Sequence, residues 1–258
     1  MKKIAVSLSI GTMDLKPQVD EIFRVLGRCN VSAYVVLTGH TVLDPQGSAW
    51  AEAIAHQYPT RVFTALADSG TWAAGYLKGM QIAIALGVDA VISMDADGSH
   101  DPAELEKFVR ALETRKAVMS SRFIASAVNR YPLQRRVISF VGTVLTRLFL
   151  TTYRLTDFTS GFEAVDAQVL ASVFARYSPE EWVAVRVGPY HLQNTELRLA
   201  LIDFGCDIVE IPIVYGVRRV GKTFDLDFLF KVFLGFVSLV RNRSYMRKVL
   251  SAKKGTQF

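Results

Sequence analysis

The stretch that decides the fold is Met94-Asp95-Ala96-Asp97-Gly98-Ser99-His100-Asp101-Pro102. The apolar run before it, Ala90-Val91-Ile92-Ser93, reads as a buried strand. The residues after it, from Pro102 to Phe108, read as a helix start, with Asp101 as cap, proline in the first turn and Glu104 three residues beyond the cap. Strand, acidic turn and helix form the unit of an open α/β sheet, which binds ligands outside the carboxyl ends of its strands. Capping accounts for Asp101 but leaves Asp95 and Asp97 over. Unpaired acids are seldom placed at such a strand end. Two carboxylates one residue apart can face the same crevice, and magnesium usually takes one or two carboxylates together with phosphate oxygens. Asp95 and Asp97 are therefore candidate metal ligands, with a plain charged turn as the alternative.

Working outward, strands alternate with helices. Strands are expected at Lys3–Ser9, Val31–Thr38, Arg61–Ala65, Ala90–Met94 and Ala117–Ser121, and helices at Gln18–Gly27, Ala51–His56, Thr71–Leu86 and Pro102–Thr114. That alternation implies a mostly parallel sheet covered on both faces. The pattern then changes. Leu133–Leu150 reads as a long amphipathic helix with no strand directly after it, Asp157–Phe162 as a turn-rich loop, and Asn194–Phe204 as a helix. Asp207–Tyr215 reads as a strand which Pro212 places near an edge. Phe228–Val240 is a very apolar helix followed by a basic tail.

Of the 258 residues, 50% are hydrophobic, ample for a buried core in one large domain. The net charge of +6 favours anionic partners. Two cysteines, Cys29 and Cys206, argue against a disulfide framework and fit a reducing compartment. The short N-terminal apolar run reads as a first strand rather than a signal peptide. No apolar run reaches the ~18–20 residues that cross a bilayer.

Other residues point to anion chemistry. Arg122 ends the strand after the acidic turn, where it can reach an anion at the same crevice mouth. Arg135, Ser139, Thr143 and Arg147 recur every four residues and form one polar row. A guanidinium and a hydroxyl one turn apart can hold a phosphate together. Val137, Val141, Val144, Leu145 and Leu148 form an apolar face beside that row, which suits a helix at a bilayer surface. The basic loop Arg218-Arg219-Val220-Gly221-Lys222-Thr223 suits a diphosphate, though its glycine spacing is not that of a Walker loop. His40, His56 and His191 have no metal-like spacing, whereas His100 adjoins the acids. No arrangement signals a serine or cysteine nucleophile.

Taken in order, Met94–Pro102, Ser121–Phe123, Leu133–Ser139, Asp157–Phe162, Glu210–Ile213 and Arg218–Thr223 resemble the polyprenyl-phosphate glycosyltransferases of family 2, the dolichyl-phosphate mannose synthase type. The resemblance implies a GT-A fold, with residues 1–225 as the transferase domain and residues 226–258 as a membrane-associated helix and tail. It also implies Mg2+ or Mn2+ on Asp95 and Asp97, a nucleotide-sugar donor and a polyprenyl phosphate lipid acceptor. Arg122, Arg135 and Ser139 would hold the acceptor phosphate, and Arg218 would contact it or the diphosphate. Asp14 stands where only it could supply an acid on the donor side. GDP-mannose is the first donor expectation and a UDP-sugar the second. The expected location is peripheral, at the cytoplasmic face of the membrane, with no nucleic-acid partner.

The chain departs from the family pattern in several places. Ser9–Asp14 stands where relatives open with a Pro-Thr-Tyr-Asn-Glu stretch, and Leu37–Asp44 where they have a double aspartate that contacts the base and ribose. Ser99 stands for a frequent glutamine, Glu163 for a basic residue and Phe224 for a lysine. The metal and acceptor motifs are better kept than the donor-base pocket. An inactive binding scaffold is therefore one alternative, and a sugar-phosphate nucleotidyltransferase another.

Overall fold

A computed structural model describes residues 1–10, 14–68, 71–186, 192–217 and 229–242. The elements in chain order are β1 (Lys3–Ser9), α1 (Lys16–Arg28), β2 (Ser32–His40), α2 (Pro45–Gln57), β3 (Val62–Ala67), α3 (Trp72–Ala85), β4 (Ala90–Asp95), α4 (Leu105–Ala111) and β5 (Ala117–Ser121). They continue with β6 (Val128–Asn129), α5 (Leu133–Phe149), β7 (Glu163–Asp166), α6 (Ala167–Arg176), α7 (Val183–Arg186), α8 (Leu192–Phe204), β8 (Ile208–Pro212) and β9 (Val214–Tyr215). Residues 229–242 are also helical.

Seven strands form one sheet in the order β3-β2-β1-β4-β7-β5-β8. β1 pairs in parallel with β2 and β4, β2 with β3, and β5 with β8. β7 runs antiparallel between β4 and β5. The sheet is thus mostly parallel, as the alternation predicts, and β8 is an edge strand, as Pro212 implies. β6 and β9 make a separate parallel pair. Hydrophobic clusters cover both sheet faces, one beneath α3, α6 and α8 and the other beneath α1 and α4. On the first of these faces α3 lies very close to β2. A Cβ at Gly75 would come within 2.5 Å of the Gly39 carbonyl oxygen, and one at Gly79 within 1.9 Å of Thr38 Cγ2.

Several expectations need correction. The helix expected at Pro102–Thr114 is a single 3-10 turn, Pro102–Glu104, leading into the shorter α4. Asp101 accepts the Ala103 N–H as a cap, but Glu104 pairs forward with Lys107 Nζ at 2.7 Å instead of reaching back. The Asp207–Tyr215 strand is two strands, β8 and β9. β7 and α6 follow the turn-rich loop and were not anticipated. Glu163-Ala-Val-Asp166 is too short to show a period of its own, and its strand state is set by the slot between β4 and β5.

α5 buries and exposes the opposite of what a helix on a soluble core does. Thr143 and Thr146 are its buried residues. Leu133, Val137, Phe140, Val141 and Leu148 form a stripe facing outward, with Leu148 71% exposed. The Phe149 ring meets Phe236 edge-on at 6.4 Å, which joins α5 to the helix at residues 229–242. That helix also turns Phe230, Phe233 and Leu234 outward. No helix among the described residues is long and apolar enough to cross a membrane. The basic tail from Arg243 onward lies outside the described residues.

Candidate active site

The site is built from the carboxyl end of β4. Asp95 is the last residue of that strand, and the Ala96 N–H donates to the carbonyl of Ser9 at the end of β1. The chain then turns at Gly98, whose φ of +86° is a left-handed conformation that favours glycine. The turn is braced from within. Ser99, fully buried, donates to Asp97 Oδ1 from its backbone N–H at 2.9 Å and from its hydroxyl at 2.5 Å. His100 Nδ1 accepts the Asp95 N–H at 2.8 Å. Asp95 and Asp97 themselves are half-buried. Among the described residues no cluster of three or more His, Cys, Asp or Glu could hold a metal. The protein therefore offers two hard oxygen donors on a fixed turn. That suits a magnesium- or manganese-like ion whose remaining ligands come from a phosphorylated substrate. Ser99 acts on Asp97, and that accounts for its burial.

On the other flank, Arg122 lies where the sequence places it, just past β5, but its surroundings differ from expectation. Its guanidinium is not held out into solvent. Nε donates to Asp157 Oδ2 at 2.7 Å and Nη2 to Asp157 Oδ1 at 2.9 Å, with both side chains buried. Nη2 also donates to Thr159 Oγ1, and Nη1 makes no hydrogen bond among the described residues. Burial alone would push the Asp157 carboxyl up. The Arg122 charge and hydrogen bonds outweigh it and hold the carboxyl down at about 2.

Asp157 also accepts the N–H groups of Thr159 and Ser160, and Glu210 accepts those of Thr156 and Asp157 at 2.7 and 2.9 Å. The loop before β7 is thus pinned by two carboxylates. Beneath it, the fully buried Arg198 donates to the Asp157 carbonyl at 2.6 Å and lies 3.5 Å from Glu163. Glu163 accepts from the Tyr76 hydroxyl at 2.8 Å. Burial pushes the Glu163 carboxyl up to about 7, against the pull of Arg198 and the Tyr76 hydrogen bond.

α5 points its polar row at this loop. Thr143 Oγ1 accepts the Phe158 N–H at 3.0 Å, and Arg135 and Ser139, half-buried, lie two turns and one turn before it. The Arg135 guanidinium lies over the Tyr131 ring, 5.5 Å from its centroid. Arg122 is thus bonded to this loop directly, whereas Arg135 and Ser139 share a helix row with Thr143, which bonds it. Arg218 and the basic loop lie outside the described residues.

The donor side differs. Asp14 is exposed and accepts the Lys16 N–H at the start of α1. His40, buried at the end of β2, accepts the Val42 and Leu43 N–H groups on Nδ1 and faces Trp72 at 6.4 Å. Asp44 caps α2 by accepting the Gly47 N–H. Nothing in the sequence marks Arg198, which shares α8 with Glu196 and Asp203. Asp157 and Glu210 both lie in motifs singled out from sequence, though as parts of stretches and not as carboxylates with partners.

Residues 48–174 match the family described as glycosyl transferase family 2. An undecaprenyl-phosphate mannosyltransferase from Micrococcus luteus is 29% identical over 183 residues, covering 70% of this chain and 71% of the relative. A polyprenol monophosphomannose synthase from Mycolicibacterium smegmatis is 30% identical over 185 residues, covering 69% of this chain and 65% of the relative. Glucosyl-3-phosphoglycerate synthase from Mycobacterium tuberculosis, solved with Mn2+, UDP and phosphoglyceric acid, superposes with a TM-score of 0.61 at 18% identity. It covers 93% of this chain and 78% of its own, and at that identity the likeness shows the shared fold.

Proposed function

The chain belongs to glycosyl transferase family 2, and from that premise we propose that it moves a sugar from a nucleotide sugar to a polyprenyl phosphate at a membrane surface. The observation that carries this reading is the placement of the braced Asp95–Asp97 turn in one fold with a polar row, Arg135 and Ser139, on a helix whose apolar stripe faces outward. The first donor is GDP-mannose, with a UDP-sugar second.

Asp95 and Asp97 would hold Mg2+ or Mn2+, which supplies Lewis-acid neutralisation of the departing diphosphate. Arg135, Ser139, the Nη1 of Arg122 and Arg218 hold the acceptor phosphate. One of its oxygens forms the new bond to the anomeric carbon as the bond from that carbon to the diphosphate oxygen breaks, inverting the centre. The attacking oxygen is already anionic near neutral pH, so no side chain has to remove a proton. That agrees with how His40 and His100 are used, both accepting backbone N–H groups. The site's arginines position the nucleophile. The outward stripe of α5 and the apolar residues at 230, 233 and 234 would rest on the cytoplasmic leaflet and bring the headgroup of the lipid to Arg135.

Calorimetry of GDP-mannose and UDP-sugars with and without Mn2+, followed by a transfer assay with polyprenyl phosphate, tests the reading. Metal-dependent binding of one donor and transfer from it are expected. Absence of both would overturn it in favour of an inactive scaffold, the alternative favoured by the altered donor-side loops at Asp14, His40 and Asp44.

A further inference from the structure

Tyr215 ends β9 outside the two flanks of the site, and no step of the proposed reaction uses it. It nevertheless touches both. Its ring meets the His100 imidazole edge-on at 5.2 Å, and His100 carries the Asp95 N–H. The guanidinium of Arg122 lies 5.0 Å from the same ring. Tyr131 packs against it at 4.5 Å and 73°, and the Tyr215 hydroxyl donates to that of Tyr131 at 3.2 Å. Tyr131 in turn carries the guanidinium of Arg135. The backbone repeats the pattern. Tyr215 pairs with His100 in an antiparallel bridge, the Gly216 N–H donates to the Ser99 carbonyl at 2.8 Å, and the Arg130 N–H donates to the Tyr215 carbonyl at 3.0 Å. A Cβ at residue 216 would stand 2.7 Å from the Gly98 carbonyl, so the strand end sits hard against the acidic turn.

We infer that Tyr215 is a positioning residue that ties the Asp95–Asp97 turn to the phosphate-holding arginines, so that the two half-sites are set by one ring. The inference rests on the transferase reading for the meaning of the two halves, but the tie itself is a property of the packing. Aromatic pairs and guanidinium–ring contacts are strongest when shielded from water, as they are here. Loss of the ring therefore loosens both neighbours at once. A residue serving only the local core would loosen one of them, or neither.

The test uses the full chain with Tyr215→Phe, Tyr215→Leu and His100→Gln. Hydrogen exchange is read at Met94–Asp101 and at Tyr131–Arg135 without substrate. Mn2+ affinity is then measured by calorimetry, and the polyprenyl phosphate KM by turnover. Tyr215→Leu should speed exchange in both segments, weaken Mn2+ and raise the acceptor KM, each by about tenfold, the size of a ~1.4 kcal/mol contact. Tyr215→Phe keeps the ring and should restore all three to within about threefold, the weight of one ~0.5 kcal/mol hydrogen bond. His100→Gln keeps an acceptor for the Asp95 N–H but removes the ring contact. It should raise the acceptor KM although the residue lies on the metal turn, and it serves as the decisive variant should Tyr215→Leu not fold. Exchange that changes in one segment alone, or an acceptor KM unmoved in a folded His100→Gln, overturns the tie. A wild-type chain that neither binds Mn2+ nor transfers sugar sinks the transferase reading instead, and the exchange data still decide the tie.

Discussion

The guanidinium of Arg122 and the carboxylate of Asp157, 35 residues apart in the chain, meet through parallel hydrogen bonds of 2.7 and 2.9 Å with both side chains almost wholly out of solvent. Removing one partner leaves the other charge buried and uncompensated. Arg122→Ala should therefore cost about 3–5 kcal/mol of stability, the range for breaking a buried pair. Denaturant unfolding checks it, and a cost below about 1 kcal/mol, typical of exposed pairs, would show that the pair is open to water.

Glu163 gives a pH dependence of definite sign. Its folded-state carboxyl is raised to about 7 from the ordinary 4.5, so the folded protein holds its proton more tightly than the unfolded chain. The stability it contributes is fully present below 4.5 and is lost as the pH rises through 7. Asp157, held at about 2, contributes in the opposite sense and only at much lower pH, so it does not mask the effect. Unfolding free energy should fall between pH 5 and 8, and Glu163→Gln, which can still accept from Tyr76, should flatten that slope. An unchanged slope in the variant would assign the dependence to another group.

Asp97→Ala and Arg135→Ala should separate the two substrates. The first should lower turnover by about 10²–10³ or more with the fold kept, since charge stabilisation at the departing group is typically of that size, while the loss of the acceptor for buried Ser99 lowers the melting temperature somewhat. The second should raise the acceptor KM well above any change in the donor KM. Full activity of Asp97→Ala, or of the wild type in excess chelator, would rule out the metal. A donor-side bias in Arg135→Ala would move that residue across the site.

The outward stripe makes a prediction in which stability and binding part company. Phe140→Ser and Phe233→Ser alter side chains that are 53% and 60% exposed, so each should change stability by no more than about 0.5 kcal/mol. Burying a phenylalanine in an apolar phase gains ~1.5–3 kcal/mol. The double variant should accordingly lose about tenfold or more in flotation with anionic vesicles at low salt. Unaltered flotation would place the membrane contact elsewhere on the molecule.

Much of the fold was legible because it rests on periodicity. The strands from β1 to β5 are close to where alternation places them, and the acidic turn stands out because helix capping accounts for Asp101 but not for Asp95 and Asp97. What periodicity could not show is long-range pairing. Arg122 stands out in the sequence, but its partner lies beyond a whole helix, and Asp157 looks locally like an ordinary turn residue. The helix period of α5 was read correctly. Its apolar face is exposed, as suits a helix at a bilayer surface, but which residues pack inward depends on neighbours, and these are Thr143 and Thr146. Tyr215 is illegible for the same reason, since a lone tyrosine at the end of a proline-broken strand follows no pattern.

The antiparallel β7 has a bearing on how the chain is made. β4 and β5 are close in sequence but are not neighbours, and the strand between them comes from Glu163–Asp166. A ribosome therefore releases two strands that flank an empty slot, and the slot stays open while the whole of α5, apolar stripe included, emerges. β8 and the ring of Tyr215 arrive later still. Until then the turn bearing Asp95 and Asp97 leans on the end of β1 but lacks its contacts with the end of β9. On the metal reading proposed above, full metal affinity should thus arrive only once Tyr215 has emerged, and nascent chains stalled before Tyr215 should have a folded first half without a working acidic turn.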